Sequence, residues 1–171
     1  MARIIPILFL CLPLFLLTSC GTEPIDPAGF TGRTGGCGSF FVYRFNTEFT
    51  EAVVVSVDRS QLPVVDSTEM TLELTLPAEH VEVRIDRFDK RAENYYCNDV
   101  RTDGDPEVEE RWNALSGSIR IVIGNGDANA VDEFYQVIVR LENVVFENEN
   151  GEQVTVDAVD IDTTNVGWFP G

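Results

Sequence analysis

From Ser39 onward, apolar residues recur at every second position, and that spacing restricts the chain to extended structure. Successive side chains of a strand point to opposite faces, so a period of two gathers the apolar residues on one side. Met70, Leu72, Leu74 and Leu76 alternate with Thr71, Glu73 and Thr75 until Pro77, which has no N–H to give to a ladder, stops the run. Val81, Val83 and Ile85 alternate in the same way with Glu82, Arg84 and Asp86, whose side chains are expected to face water. Phe41, Tyr43 and Phe45 share one face of an earlier strand, and Val53, Val55 and Val57 share one face of the next. Ile119, Ile121 and Ile123 form a further strand bounded by Gly117 and Gly124.

Near the C-terminus, Asn150-Gly151 separates two apolar-alternating arms at 135–147 and 152–162. Asn-Gly favours a two-residue type I′ hairpin turn, because both central residues then need positive φ. Placing Glu149 opposite Glu152 sets Val145 across from Val156, and the change of apolar phase between Val156 and Val159 predicts a bulge near Asp157. Helical periodicity is scarce. Asp105-Pro106-Glu107 suits the start of one short helix carrying Val108, Trp112 and Leu115, and a strand through Trp112 and Ala114 fits equally well. Seven or eight short strands predict an all-β fold, an antiparallel β-sandwich of immunoglobulin-like size, with a small β-barrel as runner-up.

The first residues carry a different message. Residues 4–17 are apolar apart from Cys11 and two prolines, follow Arg3, and end in Thr18 and Ser19, which is the layout of a secretory signal peptide. A spanning helix needs about 20 apolar residues, and this run is shorter and interrupted by Pro6 and Pro13. The junction Leu17-Thr18-Ser19-Cys20-Gly21 resembles the lipobox of bacterial lipoproteins. The resemblance implies that residues 1–19 are a removable signal and that Cys20 becomes a diacylglycerol thioether. It also implies acyl chains such as palmitate holding the protein on a membrane, each buried methylene contributing about 0.8 kcal/mol. Gly21 stands where an aspartate would favour retention at the inner membrane, so the outer membrane of the cell envelope is the expected address.

On this reading residues 20–36, rich in Gly, Pro and Thr, are the lipidated N-terminus and a flexible tether. Residues 37–171 then form a single domain, a size that can bury a real core. Cys11 leaves with the signal and Cys20 carries lipid, so Cys37 and Cys97 remain in an oxidising compartment and are expected to form a disulfide. Formal net charge is -17, and Lys90 is the sole lysine. A field of that sign repels nucleic acid and anionic headgroups, which excludes nucleic acid as a partner.

Among local patterns, the stretch from Asp99 to Glu110 lies closest to a metal site. Laid on a twelve-residue calcium loop it supplies oxygen ligands at positions 1, 5, 9 and 12, Asp99, Asp103, Glu107 and Glu110, with Gly104 at the sharp turn, so Ca2+ binding through Asp99, Asp103, Asp105 and Glu110 is an alternative function. Arg101 and Pro106 depart from the EF-hand pattern. His80, the single histidine, stands at a turn, and no GxSxG elbow accompanies it, so no catalytic residue is assigned. Tyr95, Tyr96, Trp112, Trp168 and Phe169 suit either sugar platforms or plugs at the ends of a small core, the second being favoured. The resulting expectation is a non-enzymatic binding or structural module of the envelope that recognises a protein or glycan through its loops. A small carboxylate-dependent hydrolase is the least favoured reading.

Overall fold

A computed structural model describes residues 24–58, 60, 70–100, 102–124 and 135–167. Eight strands account for most of them: β1 (Thr34–Cys37), β2 (Phe41–Phe45), β3 (Glu51–Val57), β4 (Met70–Leu76), β5 (Val81–Phe88), β6 (Val108–Ile123), β7 (Tyr135–Asn148) and β8 (Gln153–Val166). The described residues contain no α-helix. The expected all-β antiparallel fold is therefore present, and the 105–115 stretch takes its strand alternative as the first half of β6.

All eight strands belong to one antiparallel sheet in the order β1-β2-β3-β5-β6-β7-β8. β4 joins β6 on the edge that β5 also uses: β5 pairs with residues 108–113 and β4 with residues 117–123. One sheet thus serves as both layers of a sandwich, since the long β6, β7 and β8 continue from the β5 half into the β4 half. The outer strands approach each other and nearly close a barrel. Arg44 of β2 donates to the Asp160 carbonyl of β8 and lies 3.4 Å from the Asp162 carboxylate. At the far end the Tyr135 hydroxyl donates to the Ser39 carbonyl in the β1–β2 turn.

The sheet bends along one row. Gly117 has φ +129° and Asn143 φ +50°, and a Cβ at Gly117 would stand 2.7 Å from Val144 Cα. The β6–β7 register slips twice here, between Ala114 and Ser116 and between Ser116 and Ser118. The expected bulge near Asp157 is not where the irregularity falls. β7 and β8 hold one register from Glu142↔Ala158 to Val144↔Val156, and the slip comes between Val137 and Val139. The apolar phase changes on both strands together because the pair bends as a unit. β6 correspondingly runs through Gly117 rather than starting after it.

Inside the bend lies the main core, with Val53, Val55, Val83, Ile85, Ile119, Ile121, Val139, Leu141, Phe146 and Ile161 among its buried members. A second apolar cluster occupies the opposite face of β2, β3 and β5, where Tyr43, Phe45, Ala52, Val54 and Phe88 are covered by Ala92 and Tyr96. The expectation that Arg84 and Asp86 face water fails here, because the segment 89–107 covers that face; Asp86 is 1% exposed. The Cys37–Cys97 disulfide forms as expected and pins this cover to β1 across 60 residues of sequence. Chain-entropy arguments credit a loop of that length with about 4 kcal/mol.

Two further expectations are corrected. The β7–β8 turn has three residues between the Asn148–Glu152 pair, and only Gly151 takes positive φ, at +79°. That is a type I turn closed by a glycine in the left-handed region, and it moves Val145 opposite Thr155. The fold also begins before Cys37. Ile25 and Phe30, both 4% exposed, are inserted into the main core on either side of a turn in which Asp26 accepts from the Gly29 and Ala28 N–H groups. Their apolar bulk makes 24–33 part of the domain, although its Gly and Pro content resembles a leash.

Gly117→Ala is expected to lower stability by about 2 kcal/mol or more, since a side chain there meets both the φ barrier and the β7 backbone. The shift of the urea midpoint at unchanged m-value measures it.

Candidate functional site

At one end of the main core, each apolar stripe terminates in a polar residue. Glu51 stands in phase with Val53 and Val55, Arg87 with Ile85, Glu110 with Trp112, and Asn148 with Phe146. Because Glu51 pairs with Arg87 and Arg87 with Glu110 in register, the four side chains form one continuous polar row across the rim. Arg87 Nε donates to Glu51 Oε1 at 2.9 Å and Nη1 to Glu110 Oε2 at 3.0 Å. Asn148 Nδ2 lies 2.7 Å from both Glu110 Oε1 and Glu152 Oε2, and its Oδ1 accepts from the Asn150 and Glu152 N–H groups.

These carboxylates are largely withdrawn from solvent. The Glu51 and Glu110 side chains are 13% and 16% exposed, with Arg87 between them at 11%. Burial raises the Glu51 pKa above its ordinary value of 4.5, and the Arg87 hydrogen bond and charge pull against it without cancelling it. Two open grooves flank the row. One, of about 410 Å³, is bounded by Pro24, Asp26, Thr47, Glu48 and Arg87; the other, of about 490 Å³, by Glu109, Arg111, Asn113, Glu147 and Glu149. The rim is therefore polar and predominantly acidic.

A second charged group lies under the cover segment. Asp86 accepts from Tyr96 Oη at 2.7 Å, Arg111 Nε at 2.9 Å and Arg84 Nε at 3.1 Å. Burial first, and then the Asp86 charge, raise the Tyr96 pKa, so the phenol stays protonated and donating. Asp86 itself is buried at 1% exposure, and its bond from Tyr96 anchors the cover. The rim row, in contrast, borders grooves that a ligand can enter.

The four acids expected to bind calcium do not converge. Asp99 and Asp103 are exposed, Asp105 accepts from the Thr102 N–H and hydroxyl at 2.7 and 2.8 Å, and Glu110 belongs to the rim row. Among the described residues no group of three or more His, Cys, Asp or Glu side chains is placed to hold a metal ion. The cause is local: β6 begins at Val108, so Glu110 is drawn into the ladder beside Arg87 instead of folding back on the loop. His80 sits at the β4–β5 turn with φ +67° and its ring 3.5 Å from Glu79. Tyr96 and Trp112 are buried as core plugs, whereas Cys20, Trp168 and Phe169 lie outside the described residues.

Glu51, Arg87 and Asn148 escaped the sequence because each belongs to a different strand and no linear spacing joins them. The available signal was phase: a charged or amide residue at the end of an apolar stripe. Comparison with known proteins adds nothing to this picture, since no family model, curated protein or solved structure matches the chain.

Arg87→Met is expected to cost about 3 kcal/mol or more in denaturant unfolding, because it strands two buried carboxylates. The pH response isolates Glu51. A folded-state pKa above the unfolded value contributes stability at low pH that is lost as pH rises through the folded value. Wild type should therefore gain stability relative to Glu51→Gln as pH falls from neutrality towards 4.5, measured by urea titration of both proteins.

Proposed function

We propose that the chain is the precursor of an outer-membrane lipoprotein whose mature domain is a non-enzymatic binding or structural module of the bacterial cell envelope. The observation that carries the address is the apolar run ending in Leu17-Thr18-Ser19-Cys20-Gly21. A diacylglycerol thioether on Cys20 is the anchor, and the oxidising compartment that the anchor implies agrees with a structural disulfide at Cys37 and Cys97.

Binding rather than catalysis is favoured by how the rim acids are engaged. Glu51 and Glu110 are hydrogen-bonded to Arg87 and Asn148, which suits a fixed recognition surface better than proton transfer. The open groove bounded by Glu109, Arg111, Asn113, Glu147 and Glu149 fits a polar partner, a protein or a glycan, presented by the envelope.

Expression of the full precursor in a Gram-negative host tests the address. Wild type should fractionate with the outer membrane and gain the mass of an acylated cysteine, whereas Cys20→Ala should lose both. Retention of Cys20→Ala in the membrane after a salt wash would overturn the reading.

A further inference from the structure

We infer that the lipid anchor moors the domain rim-down, with the groove beside Glu48 and Glu51 apposed to the bilayer surface and the β4–β5 turn directed away from it. The inference rests on the lipoprotein reading and adds an orientation to it.

Its basis is where Pro24 and the residues after it sit on the domain. Pro24 and Asp26 border the same groove as Thr47, Glu48 and Arg87, so the chain enters the domain at the rim. Ile25 and Phe30 are both buried in the main core, which fixes that entry point. From Cys20 to Pro24 the backbone reaches at most about 14 Å even when fully extended. A free leash over 20–36, in contrast, would have a root-mean-square span of about 22 Å and would let the domain tumble.

The domain is too tall for so short a tether to present its other end. Glu51 opens β3 at the rim, and Val57, at the opposite end of β3, pairs with Val81 just after the turn that holds Glu79. The six steps from Glu51 to Val57 rise about 20 Å, which already exceeds the tether's reach. A lipid surface is therefore the occupant that chain length imposes on the groove beside Glu48. The exposed acids Asp26 and Glu48 oppose insertion, so the rim rests at headgroup level rather than entering the hydrocarbon.

Fluorophores attached to Glu48→Cys and, separately, Glu79→Cys report the orientation, both positions being exposed and the charge change identical. Each lipidated, non-reduced full-length protein is reconstituted in phosphatidylcholine vesicles containing a lipid with a nitroxide headgroup. The expected result is loss of fluorescence at position 48 and none at position 79. Insertion of a Gly/Ser spacer of about 20 residues after Gly21 should abolish the difference. Equal quenching at the two positions in protein of verified acylated mass would overturn the mooring while leaving the anchor intact. Protein that lacks that mass and does not float with the vesicles would overturn the anchor, and the mooring with it.

Discussion

A flat sheet of eight strands with one apolar face has nothing to bury that face against, and this chain meets the difficulty by bending the sheet onto itself. The bend runs through Gly117 and Asn143, where positive φ and close approach of β6 to β7 let three long strands turn together. Both halves of the main core exist because of it: Val53 and Ile85 lie on one limb, Ile121 and Val139 on the other, and neither limb encloses a core alone. The rim row is a by-product of the same geometry. Where the two limbs meet water at the open end, the stripes that were apolar must become polar, and Glu51, Arg87, Glu110 and Asn148 supply that change while satisfying one another's hydrogen bonds.

The strands were legible because alternation is a local property, and the alternating runs in β4, β5 and the second half of β6 are the strands observed. Which faces were buried was less legible. Tyr43 and Val53 read as members of comparable one-sided stripes, yet they face opposite sides of the sheet, because the irregular segment 89–107 creates a second interior. Its own sequence looks like a solvated acidic loop. Similarly, Asn150-Gly151 identified the hairpin but not its register, since the same dipeptide serves a two-residue turn and a three-residue turn closed by glycine. The rim was illegible for a different reason: its members are brought together only by strand pairing across distant parts of the chain.

Composition misled most at the start of the domain. Gly, Pro and Thr in 24–36 suggest a flexible spacer, and two buried apolar residues outweigh that impression. The difference matters for function as well as for fold. A long spacer would let the chain depart from the domain in any direction, whereas burial of Ile25 and Phe30 fixes its entry at the rim.

The cover segment has its own consequence. It is held at several separate points, by the Cys37–Cys97 bond, the Tyr96–Asp86 hydrogen bond, the Ala92 N–H to the Phe49 carbonyl, and paired bonds between Asp89 and Glu107. Between the last of these anchors, residues 98–100 and 102–104 are exposed, with Val100 at 69%. Such a stretch is mechanically isolated from both cores: a change in its length or composition leaves every anchor in place. Evolution can therefore diversify this patch at little risk to folding, which makes it the part of the molecule where surface identity is freest to vary among descendants of the same scaffold.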